Sequence, residues 1–292
     1  MKNRREFIQL AGMGLIATAV PDFLKLSAAI GKHRVAVQLY TLRDAISKDY
    51  RNSLKRLADM GFKNVETAFW PENVSALTAA DTLKEFGFNV TSCHVDMPTR
   101  DNIAKLVSTA KAYDCNKLIW HGWPEDKRYS SLAGTKELVK LYNESNRLAK
   151  DHGLHFGLHN HWWEYRNHVG GKLVYEVLNE ELADDIFFET DVYWVKVAGQ
   201  DPATILKKLK NRIRLIHIKD GPAVFNEKFI KDTPDPMTPV GQGSLNIPLI
   251  VEACSDNVEW MVIELDKSAI DVYDALKQSR DYLAKFKSVS LV

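Results

Sequence analysis

The sequence has few cysteines, no excess of charge of either sign and no apolar run long enough to remain in a membrane. Three cysteines (Cys93, Cys115 and Cys254) in 292 residues are too few and too scattered for a disulfide framework, and their spacing matches no zinc-ligand pattern. Each lies in or near an apolar segment and reads as a small core residue. The formal net charge is +1 with lysines and arginines dispersed, which excludes the basic footprint of a nucleic-acid binder. The apolar run at 10–20 is too short to span a bilayer permanently. No Gly-x-Gly-x-x-Gly turn follows the first strand-like segment, which argues against an open doubly wound sheet. No low-complexity tract or linker divides the chain, so one large domain is expected.

The first residues have a different character. Arg4-Arg5 is followed by Glu6-Phe-Ile8, the apolar run and then small residues around Ser27-Ala-Ala29. A basic start, a short apolar core and a small-residue cleavage region form an export signal, here of the twin-arginine type. The sequence therefore predicts a signal over 1–29, a barrel over 30–292 and a periplasmic protein.

From Val35 onward, short apolar segments alternate with amphipathic ones. Strands are expected at 35–40, 64–68, 89–94, 117–121, 154–161, 186–191, 214–218 and 261–265. Helical spacing separates them, as in Ile46, Tyr50, Leu54 and Leu57 before Gly61, and in Leu138, Leu141, Tyr142, Ser145 and Leu148 before Gly153. Eight strand–helix units with strands apolar on both faces predict a closed (β/α)8 TIM barrel. One long irregular stretch, 221–246, is expected to cover the pocket at the site end.

Four of these strands run from apolar residues into groups that bind metal or move protons. The fifth ends in Leu158-His-Asn-His161 followed by Glu164, the sixth in Glu189-Thr-Asp191, the seventh in His217-Ile-Lys-Asp220 and the eighth in Glu264-Leu-Asp266. Such groups at the carboxyl ends of barrel strands are what an active site needs. His159, Asp191, His217 and Glu264 form a mixed nitrogen and oxygen set suited to one divalent ion: Mn²⁺, Zn²⁺, Co²⁺ or Fe²⁺. Side chains alternate faces along a strand, so steps of two place Gln38, Tyr40, Glu66, Ser92, His94, His121, His161, Glu189, Lys219 and Asp266 inside as well. Gln38, His94 and His121 are candidates for touching a substrate, and His94, His121 and Glu66 also for orienting ligands. Trp123, Trp162, Trp163 and Trp194 stand beside strand ends, where an indole can stack on a sugar face.

Val37-Gln-Leu-Tyr-Thr-Leu-Arg43, Gly61-Phe-Lys-Asn-Val-Glu66, Leu158-His-Asn-His161, Thr190-Asp-Val-Tyr-Trp194, His217-Ile-Lys-Asp220, Val240-Gly-Gln-Gly243 and Ile263-Glu-Leu265 occur in that order. Together they resemble the sugar phosphate isomerase/epimerase proteins of the xylose-isomerase-like TIM-barrel superfamily. The resemblance implies one divalent metal held by residues ending the fifth to eighth strands, which here are His159, Asp191, His217 and Glu264. Epimerases of this kind have glutamate at the fifth-strand position, and His159 stands there in this chain. The superfamily also includes DNA-repair endonucleases with three zinc ions, whose extra ligands would match His94 and His121. The balanced charge argues against DNA as a partner.

The chemistry implied is removal of a proton beside a carbonyl through a metal-stabilised enediolate. Glu264 is the candidate base, and Glu164, His161 or Lys219 the second acid–base group. The expected substrate is a small sugar or keto-sugar, unphosphorylated if the protein is exported; Gly241 and Gly243 could otherwise form a phosphate-binding turn. Isomerisation or epimerisation is the first expectation. A lyase or hydratase acting on 3-keto-glycosides is the second, and a non-catalytic sugar-binding barrel the third.

Overall fold

A computed structural model describes residues 32–123, 125–230 and 235–292. The expected export signal lies outside the described residues. Eight parallel strands form the wall of a barrel: β1 (His33–Gln38), β2 (Asn64–Thr67), β3 (Asn89–His94), β4 (Lys117–His121), β5 (His155–His159), β6 (Phe187–Asp191), β7 (Ile213–Ile218) and β8 (Trp260–Ile263). Each pairs with the next, and β8 pairs with β1 to close the ring. Closure leaves no free edge along the eight-strand wall, which removes the hazard of unpaired strand groups. Among the described residues, no helix is long and apolar enough to cross a membrane.

The helices between strands start where side chains can satisfy their first amides. Ser131 opens the longest helix (Leu132–Asp151) by accepting from Gly134 N, and Asp201 opens Pro202–Leu209 by accepting from Thr204 N. The helical pattern through Ile46 and Leu57 is two helices, Arg43–Lys48 and Tyr50–Asp59, rather than one. Asp49 breaks it by turning its carboxylate onto Asn52 N as the cap of the second helix. Local side-chain capping here outweighs continuation of the pattern.

Two apolar regions hold the barrel together. Outward-facing strand residues such as Val37, Leu118, Ile216 and Ile263 are buried against the helices. Inside, Ala36, Ile119, Phe187, Leu215, Trp260 and Val262 form a separate plug. Gly157 on β5 makes room for it, since a Cβ there would run into the Phe187 ring. The plug closes the amino-terminal end of the barrel, so the polar residues two steps further along each strand line only the carboxyl-terminal end.

Among the described residues, the irregular stretch after β7 is tied to the barrel rim. Asp220 organises it: its Oδ2 accepts from Gly241 N (2.9 Å) and Gly243 N (3.0 Å), while its Oδ1 accepts from Gly221 N (2.9 Å) and Leu245 N (3.1 Å). Gly243 sits so close that a Cβ would strike the Asp220 carboxylate. The two glycine amides that might have held a phosphate are thus spent on this aspartate. Thr238 bridges Asp220 and Met237 bridges Ser268, which ties the stretch beside the end of β8.

Candidate active site

Strand register brings the polar ends side by side. Gln38 lies beside Glu66 and Glu66 beside Ser92; His121 lies beside His159 and His159 beside Glu189; Asp191 lies beside His217. A closed barrel converts these neighbours into a ring of inward-pointing side chains. Gln38, Glu66, His159, Glu189, Asp191, His217, Lys219 and Glu264 are all buried.

His217 is the hub. Its Nδ1 lies 2.7 Å from Glu264 Oε2, and its Nε2 lies 2.7 Å from Glu66 Oε1 and 3.1 Å from Glu189 Oε2. Glu189 also lies 2.7 Å from His94 Nε2 and 3.0 Å from His159 Nδ1. Glu66 is held from the other side by Gln38 Nε2 (2.7 Å) and by the Ser92 hydroxyl. Above this layer the Lys219 ammonium contacts Asp191 Oδ2 at 2.9 Å, Glu264 Oε2 at 2.7 Å and Asp266 Oδ2 at 2.8 Å. Asp191 Oδ1 caps the short helix that follows β6, accepting from Tyr193 N and Trp194 N, so its Oδ2 alone faces inward.

Charge in the ring follows these contacts. Burial disfavours a charge on His94, but the Glu66 and Glu189 carboxylates outweigh it and raise its pKa to about 10. His217 is raised in the same way by Glu189, Glu264 and Glu66 against the effect of burial. His159 and His161 go down, through burial and through positive neighbours, and His121 falls to about 3. Burial raises Asp191 to about 6 although Lys219 opposes it. Burial also acts against ionised Glu264, yet Lys219 and His217 hold it below the usual carboxylate range. Glu264 is therefore ionised at neutral pH, while His159, His161 and His121 are neutral imidazoles.

The donor set suits a transition metal. His94, His159, Glu189 and His217 each offer a ligand atom, all within 4.8 Å of one another, as do Asp191, His217 and Glu264. Buried Glu189 Oε1 has no hydrogen-bond partner, a costly state that a bound cation would relieve. Imidazole and carboxylate donors together favour Mn²⁺, Fe²⁺, Co²⁺ or Zn²⁺ over Ca²⁺ or Mg²⁺.

A pocket of about 140 Å³ opens above the ring, lined by Gln38, Tyr40, His94, His121, His159, His161, Glu264 and Asp266 and rimmed by Phe69 and Trp123. Of the candidate site residues, those at the ends of β1, β3, β4, β5 and β8 thus line it, while Asp191, His217 and Lys219 do not. Trp123 is exposed at the mouth, its ring edge-on to His121 with centroids 4.7 Å apart. Trp162 is buried against Trp163 and Phe225, away from the pocket. Trp194 is also buried, its ring 5.8 Å from His161 between centroids and 5.9 Å from the Lys219 ammonium. Trp163 acts from behind by stacking on His161 (4.5 Å, 8°).

Glu164 is elsewhere. The short helix Trp163–Arg166 turns its carboxylate back to accept from His161 N (3.0 Å), beside a second pocket lined by Tyr129, Tyr142 and Tyr165. Burial raises its pKa to about 8, but it does not line the pocket above the ring. Two residues outside the expected ligand set, Glu66 and Glu189, are central to the ring. The step-of-two alternation on β2 and β6 already carries that signal.

The chain resembles several known proteins along most of its length. It is 24% identical over 253 residues to an inosose dehydratase from Clostridium beijerinckii, covering 80% of each protein. In three dimensions it matches a sugar phosphate isomerase/epimerase from Parabacteroides distasonis with a TM-score of 0.72 and 21% identity, covering 88% of this chain and 100% of that one. It also matches a probable 3-DHS dehydratase from Bacillus anthracis with a TM-score of 0.67 and 15% identity, over 86% of this chain and 98% of that one. The sequence model of the xylose isomerase-like TIM barrel family matches residues 54–286, from the first helices to the last. Closed barrel, polar carboxyl-terminal ring and family match agree, and the chain belongs to the xylose isomerase-like TIM barrel family.

Proposed function

We propose that the protein is a divalent-metal-dependent sugar isomerase or epimerase that removes a proton beside a carbonyl. The observation that carries the reading is the convergence of three imidazoles (His94, His159, His217) and the carboxylates of Glu189, Asp191 and Glu264 beneath one open pocket. These residues would hold a divalent ion, which would supply Lewis acidity beside the carbonyl. The chain's own groups do the rest. Glu264 is ionised, faces the pocket and accepts the proton. His161 is a neutral imidazole whose Nδ1 has no partner, and it is the second proton carrier. The indole of Trp163 holds its ring in place. Gln38 and Ser92 fix Glu66, which fixes the His217 ring. The exposed Trp123 offers a face to a sugar ring at the mouth.

A second reading shares the first step. The Clostridium beijerinckii relative is an inosose dehydratase, and a β-hydroxy or β-glycosyl keto-sugar loses its leaving group after the same proton is taken. On that reading the proton that Glu264 removes is passed through His161 to the leaving oxygen. Incubating ion-loaded protein with a panel of aldoses, ketoses and 3-keto-glycosides separates the two. Interconverted sugars support isomerase or epimerase, released water or aglycone supports lyase, and binding without turnover refutes both. The proposal extends to location: residues 1–29 direct export through Arg4-Arg5.

A further inference from the structure

Two of the three cysteines, far apart in sequence, meet in the fold. Cys93 lies on β3, where the alternation that turns Ser92 and His94 inward turns it outward, into the buried layer between strands and helices. Its strand neighbours are Thr67 on β2 and Leu118 on β4. Cys115 comes from the turn that leads into β4. The helix Ile103–Ala112 ends at Tyr113, Asp114 takes a left-handed conformation (φ 50°), and Cys115 N then donates back to Ala110 O at 2.9 Å. That conformation is uncommon outside glycine, and it folds the chain back so that Cys115 packs against the same core as Cys93. The Cys115 thiol donates to Lys117 O (3.8 Å), and the two cysteine sulfurs are in hydrogen-bond contact with each other. Both are free thiols. Cys115 is only partly buried and lines an open pocket of about 480 Å³ at the amino-terminal end of the barrel, so a reagent can reach it from solvent. The third cysteine, Cys254, stands at the end of another helix with its thiol on Ile250 O (3.4 Å).

We propose that Cys93 and Cys115 are a modification site: on the folded protein they are oxidised to an intrachain disulfide that staples β3 to the entry of β4. The oxidant is a small disulfide such as oxidised glutathione. The accessible Cys115 sulfur displaces one sulfur of that reagent, which leaves as a thiol. The Cys93 sulfur then displaces the other, and the Cys93–Cys115 bond forms. Two protein thiols are oxidised, the reagent is reduced to two thiols, and those carry away the two protons. The new bond closes the segment between 93 and 115 and so restricts the unfolded chain. This inference is independent of the metal and of the reaction at the other end of the barrel. An exported protein meets oxidising conditions, and a pair already assembled by the fold needs no unfolding to respond to them.

The test counts thiols. Native full-length protein is incubated with oxidised glutathione, the remaining thiols are blocked with iodoacetamide after unfolding, and the peptides are mapped by mass spectrometry. The parent should lose two of its three thiols and yield one linked pair, Cys93–Cys115, which dithiothreitol cleaves. The crosslinked chain should melt at a higher temperature than the reduced one and return on reduction. Cys93→Ser should stop at the first step and carry glutathione on Cys115. Cys115→Ser should carry none on Cys93, which is buried. Should either variant fail to fold, the parent alone decides. Three free thiols in the treated parent, a link through Cys254 or between chains, or glutathione left on Cys115 of the parent would each overturn the proposal. So would glutathione on Cys93 of Cys115→Ser, or a crosslink that does not raise the melting temperature.

Discussion

Replacing Glu264 with glutamine tests the base directly. In the structure Glu264 Oε2 is 2.7 Å from both His217 Nδ1 and Lys219 Nζ, and its side chain borders the pocket. Glutamine has the same shape and keeps an oxygen for Lys219, which also retains Asp191 at 2.9 Å and Asp266 at 2.8 Å. The fold should therefore survive, and the ion should stay. An amide is not a useful base, and losing a general base typically costs about 10²–10⁴ in rate. That corresponds to about 3–5 kcal/mol in the barrier. The assay pairs metal content with the rate of solvent-deuterium entry into a keto-sugar. We expect near-parental metal with exchange lowered by at least about a hundredfold. Exchange at near the parental rate would refute the role of Glu264 and leave His161 as the nearest candidate.

Three further outcomes follow from the structure. Glu164 has a folded pKa of about 8 against an ordinary 4.5, so the folded state holds its proton more tightly than the unfolded chain. Its stabilising contribution is complete below about pH 4.5 and is lost as pH rises to about 8. Urea unfolding of Glu164→Gln should show a flatter profile across that window and greater stability than the parent above pH 8; equal profiles would contradict the burial argument. Gly157→Ala drives a methyl into the Phe187 ring inside the barrel and should lower stability by about 1–3 kcal/mol, read from the same unfolding curves. Replacing Arg4 and Arg5 with lysine should leave the protein in the cytoplasm on fractionation, and an unchanged periplasmic yield would refute the export proposal.

The barrel is legible in the sequence because each strand is a short apolar run bounded by turns, and helical spacing fills the intervals. The break at Asp49 is not, since whether an aspartate caps or continues a helix depends on its local hydrogen bond to Asn52. Alternation places Glu66 and Glu189 inside, but weighting the last residue of each strand favours Asp191 and overlooks the deeper Glu189. His161 and Glu164 look like partners in sequence, three residues apart after β5. The helical turn at Trp163 separates them, sending one to the pocket and the other behind the wall. The tryptophans divide for the same reason: the direction of an indole after a strand end depends on that turn, and of the candidate indoles only Trp123 meets the pocket. Lys219 reads as an acid–base candidate in sequence. Its three carboxylate partners come from β6 and from the end of β8, a convergence that only closure of the barrel produces.

The central claim is that this ring of side chains, once it holds a divalent ion, removes a proton beside a carbonyl. The most direct measurement is deuterium entry from D₂O at that carbon, followed by NMR over the panel of ketoses and 3-keto-glycosides, with ion-loaded and chelator-stripped protein in parallel. The account predicts exchange with at least one member of the panel, lost on stripping and restored by Mn²⁺ or Zn²⁺. Exchange at the same rate in stripped protein, or none with any member in loaded protein, would contradict it.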